Sequence, residues 1–439
     1  MRRPGGTLWH HSDFLKLWTG QSISEFGSQV SALAIPWLAA KELHASPIEF
    51  SVLGVLAFLP FILFALPAGV WVDRLRRRPI LIIGDASRAL LLAWIPLAWW
   101  FGLLTIWQLY VIEFVVGIFT VFFDVAYQSY LPSLVERDQL MEGNSKLQTT
   151  AAAAGTVGPG LAGVLIAVFT APYAILIDAA SFVVSTAFMI PIRRPEKLPE
   201  HAAGAPKPKM LPELKEGLAY VVRHRWLKWI AVCTGSSNFF SSLAMSIGVL
   251  YMARSLQMSS FAAGVVMAGF GAGSIVGAVL APRLQRSLGV GGAIWTPVLL
   301  SSVAMLAWPL APASFPVPFL FAGTTLFGFG AVAYNVTQVS LRQAITPERL
   351  QGRMNASMRW IVWGTMPLGM LAGGAIATSY GLRAALWVGA VGCCFTWLPV
   401  FLSSVRTIGE MPEPLVEPTV AEASLAGGIL EPAALPGTE

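Results

Sequence analysis

The stretch "FALPAGVWVDRLRRRPILIIGD", residues 64–85, decides the fold. One Asp and four Arg are crowded into a short connector, with a long apolar run on either side. The flanking runs, 47–72 and 80–101, each reach the roughly 20 mostly apolar residues that a membrane-crossing helix needs. Ten more such runs follow the same criterion: 14–40, 105–130, 145–169, 172–191, 227–252, 260–282, 291–311, 318–342, 355–380 and 383–404. Lipid offers no water to unpaired backbone groups, so open-ended crossings must be helical. Composition agrees. The chain has 439 residues, 55% hydrophobic and 12% charged, against about 25% charged in soluble domains. A soluble chain of this length would also have to split its apolar surface between cores. The sequence therefore predicts an all-α membrane protein with twelve transmembrane helices.

Lys and Arg set the expected orientation. With both termini in the cytoplasm, 24 of the 29 basic residues fall on the cytoplasmic side and three on the other, with Arg88 and Arg359 inside helices. The net charge of +6 thus reads as topology, and nucleic acid is not an expected partner. Three cysteines, Cys233, Cys393 and Cys394, lie in apolar runs and show neither disulfide nor zinc spacing. The basic N-terminus runs into a long apolar segment without a small-residue cleavage pattern, which predicts a retained helix.

The chain divides in two. Residues 1–191 and 227–404 form six-run halves, joined by 192–226 and followed by a Pro-, Ala- and Glu-rich tail, 405–439, expected to be disordered. In the linker, Leu211, Leu214, Leu218 and Val221 fall at helical spacing and predict an amphipathic helix on the cytoplasmic membrane surface. The halves repeat. Gly69 matches Gly277, "GTVGPG" from Gly155 matches "GTMPLG" from Gly364, and Asn144 matches Asn355, at separations of 208, 209 and 211 residues. Six crossings is an even number, so the two bundles point the same way and are pseudo-symmetric about the membrane normal.

"GVWVDRLRRRP" resembles the signature of the major facilitator superfamily between its second and third helices, G-x-x-x-D-R-x-G-R-R. Gly69, Asp73, Arg74, Arg77 and Arg78 match, and Arg76 replaces the usual glycine. The resemblance implies that these residues latch the cytoplasmic gate, with the carboxylate at the N-terminal end of the eleventh helix, expected near Asn355–Ser357. "GTVGPGLAG" resembles the exporter-branch antiporter motif through Gly158, Pro159 and Gly163; Val164 replaces a last glycine. Small-residue packing is its bland alternative. "DFLKLWTGQSISEFGSQV", "DAASFVVSTAFMI" and "TPERLQGRMNAS" are similar to the branch holding enterobactin exporters and macrolide efflux pumps. That resemblance implies the major facilitator fold and ion-driven export of bulky organic molecules by alternating access. The rivals are an importer of the same fold, a membrane-bound enzyme and a non-transporting receptor.

Charges within the runs need a reason, since each costs about 2.5–3.5 kcal/mol at mid-membrane. Glu25 and Glu113 are the proton-coupling candidates. Burial favours a neutral carboxyl, and coupling requires one that gains and loses its proton as access changes. The alternative is a protonated side chain that only bonds a neighbouring helix. The related branch often carries an acid after the glycine where this chain has Gly27 and Ser28, and Glu25 one turn earlier is the candidate substitute. Glu113 stands where drug antiporters place an arginine. Asp124 and the Asp85/Arg88 pair are read as gate or structural charges, and Asp178, near the outer end of its run, as structural. Gln29, Gln128, Asn238, Asn335 and Gln338 are candidates for the substrate cavity, with interhelical packing the competing role. No P-loop, metal-ligand cluster or catalytic constellation stands out, and "GFGAGS" at 269–274 reads as a packing face rather than a dinucleotide loop. No cofactor and no enzymatic activity are expected. The expected partners are protons, a small organic substrate and the bilayer of the bacterial inner membrane, with the protein acting as a monomer.

Overall fold

The computed structural model of the protein describes residues 8–72, 75–192, 196 and 210–412. Asp73 and Arg74 of the charged connector, most of the linker's first part and the tail beyond 412 lie outside these residues. The described chain is helical throughout, without strands. In order come α1 (Ser12–Lys41), α2 (Pro47–Val72), α3 (Arg77–Trp100), α4 (Ile106–Leu134), α5 (Leu140–Met189), α6 (Met210–Arg223) and α7 (Leu227–Met245). A short α8 (Gly248–Leu250) and a π turn (Tyr251–Ser255) continue α7. Then follow α9 (Ser260–Ala304), α10 (Ala307–Leu310), α11 (Pro316–Ala344), α12 (Glu348–Tyr380), α13 (Leu382–Cys393) and α14 (Leu398–Phe401).

Twelve crossings result. The helices α5 and α9 are each two crossings folded at a non-helical residue, Thr170 and Gly289. Among the described residues nine helices are long and apolar enough to span a membrane, two of them these doubled ones. The polar first half of α1 keeps it out of that set, yet α1 packs along α5 in the centre of its bundle. Outward-facing side chains such as Leu90, Trp100, Trp107 and Phe395 are exposed and apolar, as a lipid-facing surface requires.

The packing repeats between the halves. The first crossing lies against the fifth and sixth, as α7 lies against α12 and α13. The fourth lies against α2 and α3, as α11 lies against both arms of α9. The turn at Thr170 corresponds to the turn at Gly381, 211 residues on, and both hold a positive φ.

The eleventh crossing begins at Glu348, earlier than the expected Asn355–Ser357, because the polar segment before the apolar run continues the same helix. Helix α6 occupies the second part of the linker and docks on α12. Gly217 sits against the Arg353 carbonyl and the Ser357 hydroxyl, Glu216 pairs with Arg353, and Tyr220 Oη donates to the Ile345 carbonyl at 2.9 Å. After α14 the chain returns to the α9 fold, where Val290 and Gly291 donate to the carbonyls of Gly409 and Ile408 at 3.0 and 2.8 Å.

Candidate functional site

Five crossings of the C-terminal half, α7, the second arm of α9, α11, α12 and the crossing of α13, surround a cavity of about 620 Å³. Spacing on α11 builds one wall. Asn335, Gln338 and Arg342 are three and four residues apart, so they share a face. They are also linked. Gln338 Nε2 donates to Asn335 Oδ1 at 2.9 Å, and Arg342 donates to Gln338 Oε1 at 3.2 Å and to Asn355 Oδ1 on α12 at 2.7 Å. On the opposite wall Asn238 donates to the Val362 carbonyl at 3.1 Å. Arg359 stands over the Trp363 ring at 5.0 Å. The structure thus brings Asn238, Asn335 and Gln338 together as cavity residues. Gln29 instead packs against Gly158, and Gln128 lies exposed on α4; neither lines this cavity. Arg342, counted among the topology signals, and Arg359, placed inside a helix without a role, are the cavity residues that the sequence did not single out. The Asn335, Gln338, Arg342 spacing was the available clue.

The N-terminal half concentrates its charges around Arg88. The guanidinium pairs with Asp85 one turn away on α3 and lies 4.3 Å from the ring centres of both Phe123 and Phe182. Glu25, Asp124 and Asp178 are within its electrostatic range. Glu25 accepts from Gln21 Nε2 at 3.4 Å. Asp178, on the second arm of α5, is fully enclosed and accepts from Ser31 and Ser181, the latter at 3.1 Å. Gly27 makes this possible, because a Cβ there would collide with the Ser181 hydroxyl and the Asp178 carboxylate. Asp178, Glu113, Arg88, Ser28 and Ser31 line one cavity of about 460 Å³, bounded on its far side by Met245, Ser246 and Met267 of the other half. Asp178 is the acid that sequence reasoning set aside as structural. Its carboxylate faces α1 at Gly27 and Ser31, and only the fold places it there.

The halves meet at the end remote from the termini. Gly163 and Gly264 let α5 and α9 touch backbone to backbone, with Pro159's carbonyl beside Gly264 and the Gly163 carbonyl accepting from Ser260 Oγ at 3.2 Å. The antiporter-like motif is therefore part of the contact between bundles: Gly163 and Pro159 face α9, and Gly158 receives Gln29 from α1. On the other side of the molecule Gly374 of α12 abuts Ser51 and Ile48 of α2. Arg254 adds a clasp, donating through Nε and Nη2 to the Ala40 carbonyl at 3.1 and 2.9 Å. Toward the end bearing the termini, α2 and α12 part around a cleft of about 250 Å³ between Phe61, Ala65, Asn355 and Arg359.

Of the connector motif, the described part ties α3 to the end of α5 and to the start of the linker. Arg78 donates to the carbonyls of Met189 and Ile190 at the end of α5. Glu196 accepts from the Arg77 amide at 2.8 Å and from its guanidinium at 3.2 Å, putting a carboxylate at the start of α3, where the helix dipole favours it. Gly69 has open space where a Cβ would stand.

Two bundles of six crossings with cavities in and between them define a major facilitator transporter. Residues 8–426 match the profile of the family described as transmembrane secretion effector, and the chain belongs to that family. Curated relatives include an uncharacterized MFS-type transporter, YfiS, of Bacillus subtilis, 26% identical over 90% of this chain and 93% of its own length. The multidrug efflux pump Tap of Mycolicibacterium fortuitum is 26% identical over 82% and 87%. Macrolide efflux protein A of Streptococcus pyogenes is 25% identical over 84% and 90%. Solved structures share the fold at low identity. A bacterial homologue of ferroportin superposes with a TM-score of 0.67 at 16% identity, covering 89% of this chain and 98% of its own. A point mutant of the nucleoside transporter NupG gives 0.68 at 12%, covering 90% and 98%. The family and these relatives are membrane transporters, not enzymes.

Proposed function

We propose that this transporter is a proton-coupled exporter of amphipathic small organic molecules, antibiotics or siderophores among them, working as a monomer by alternating access. It would sit in the bacterial inner membrane with both termini in the cytoplasm, the side that the basic residues favour. One observation carries most of the reading: the close contacts between the halves lie at the end remote from the termini, and a cleft lined by α2 and α12 lies nearer the other. That is the arrangement expected of a pump waiting for cytoplasmic substrate. The curated names of relatives, multidrug and macrolide efflux, support the outward direction.

Coupling is assigned to the acidic cluster of the N-terminal half, with Glu113 and Asp178 in the shared cavity and Glu25 beside Arg88. No Asp or Glu occurs between residues 217 and 347, so most of the C-terminal half has no carboxyl to offer. The test is proton release from proteoliposomes on adding a macrolide, in the parent and in Glu25→Gln, Glu113→Gln and Asp178→Asn. Loss of gradient-driven transport in at least one variant is expected. Full gradient-driven transport in the triple variant would remove these acids from the mechanism.

Asp73, with Arg74, Arg77 and Arg78, is assigned to the cytoplasmic latch, and the Asp85/Arg88 pair and Asp124 to structure around the gate. Cysteines placed at the cleft should label faster with a soluble maleimide in Asp73→Asn than in the parent. Equal labelling discards the latch.

A further inference from the structure

The two bundles differ in the sign of their internal charge. The acids of the crossings cluster in the N-terminal half, whereas none of the residues lining the 620 Å³ cavity is acidic and two of them, Arg342 and Arg359, are cationic. Arg342 is held by neutral amide oxygens only, and its Nε is buried without a hydrogen-bond partner among the described residues. Arg359 lies within electrostatic range of it, so the two like charges repel. Arg342 is half-buried in the last turn of α11 and Arg359 is exposed, so an incoming anion would find one guanidinium with an unpaired edge and one that is accessible, with no acidic side chain on the cavity wall to compete for either. Arg359 and Asn355 also line the cleft between α2 and α12, so the two cavities adjoin at Arg359, while Arg342 lines only the larger one. The Trp363 ring beneath Arg359 and Phe327 nearby add apolar, aromatic surface. The volume is within the roughly 300–1,000 Å³ of small-molecule sites.

We propose that this cavity is an anion site in which Arg342 and Arg359 hold a carboxylate or phosphate group of an amphipathic molecule. Guanidinium forks match such groups with two parallel hydrogen bonds, which a lysine does not reproduce. The inference deepens the transport reading and rests on it only for the statement that the bound molecule is cargo. The same chemistry could arrive on a soluble organic acid or on an anionic phospholipid headgroup.

A pair of xanthene dyes of opposite charge tests the site: fluorescein as the anion and rhodamine 6G as the cation. Binding is read by anisotropy with the full chain in a non-ionic detergent. Fluorescein is expected to bind saturably, about tenfold or more tighter than rhodamine 6G, and Arg342→Gln/Arg359→Gln to weaken it about tenfold, the effect of losing one charge-assisted hydrogen bond of roughly 1.4 kcal/mol or more. Arg342→Lys/Arg359→Lys keeps the charge and guards against misfolding; it should bind fluorescein between the two extremes. Absent or unsaturable fluorescein binding to the parent, equal or tighter rhodamine 6G binding, or unchanged binding in the Gln variant overturns the proposal. Benzoate and phosphatidylglycerol, added as competitors, separate the sources: displacement by the first marks a soluble acid, by the second alone a lipid. Dye flux under an imposed proton gradient is scored apart. Arg-dependent fluorescein binding without flux keeps the anion site and sinks export of such acids, whereas gradient-driven flux of rhodamine 6G without fluorescein binding does the reverse.

Discussion

At the residue scale, one position carries a conformation its side chain opposes. Thr170 folds α5 at φ 69° and ψ 165°, a region occupied almost only by glycine, and β-branching makes it worse. Its counterpart in the second half, Gly381, performs the same turn without a Cβ. Thr170→Gly should therefore raise thermal stability, by about 1–3 kcal/mol if the strain is fully relieved, read as a higher unfolding midpoint in detergent. The mirror change, Gly381→Thr, should lower it. Gly27 is tight for another reason. Gly27→Ala puts a methyl into the space filled by Ser181 and Asp178, so it should disturb the Asp178 carboxylate directly. Transport should fall more than in a control such as Gly160→Ala, where the added methyl meets nothing.

At the element scale, the junction of α6 and α7 is built on a neutral histidine. His224 Nδ1 accepts from the amides of Trp226 and Leu227 at 3.2 and 3.4 Å, with Tyr220 and Trp226 rings around it. Burial, and then the charge of Arg225, push the imidazole down from its ordinary value to about 4. Below pH 6.5 the unfolded junction takes up a proton that the folded one refuses, so the stability of the docked α6 is complete above 6.5 and drains away as pH falls toward 4. Limited proteolysis around residue 224 should quicken over that window. In His224→Asn, which keeps an acceptor and cannot charge, the pH dependence should flatten. The helix itself was legible, because Leu218 and Val221 sit on one periodic face. Its partner was not: α6 lies on α12 through Gly217 and Glu216, and docking depends on a helix more than a hundred residues away.

At the scale of the whole molecule, the closest contacts between the halves lie at the clasped end, and alternating access predicts that they set the conformational balance. Arg254 gives two hydrogen bonds to Ala40 across the halves, and Gly163 lets α5 approach α9. Arg254→Ala should cost the closed far end about 1–2 kcal/mol, a shift of roughly 5–30-fold between the two conformations. Distances between spin labels on α2 and α12 at that end would report it. Gly163→Leu should act in the same direction and more strongly, since the added side chain meets the Ser260 and Phe261 backbone. An unchanged distance distribution in both variants would mean that these contacts do not set the balance.

The sequence by itself determined the twelve crossings, their grouping into two repeated halves and the excess of cations on one side. Those properties are written in local hydropathy and charge, because lipid demands a helix wherever a long apolar run enters it. It also singled out Asn238, Asn335 and Gln338, since a polar group in an apolar run is conspicuous wherever it points. Only the tertiary structure decided what each group faces. It turned Gln29 onto Gly158, brought Asp178 from the sixth crossing to Ser31 of the first, and set Arg342 against Asn355 around an acid-free cavity. Facing depends on the rotation of each helix about its axis and on which neighbour it meets. The interlocking of small residues between distant segments fixes that rotation, and hydropathy along the chain does not encode it.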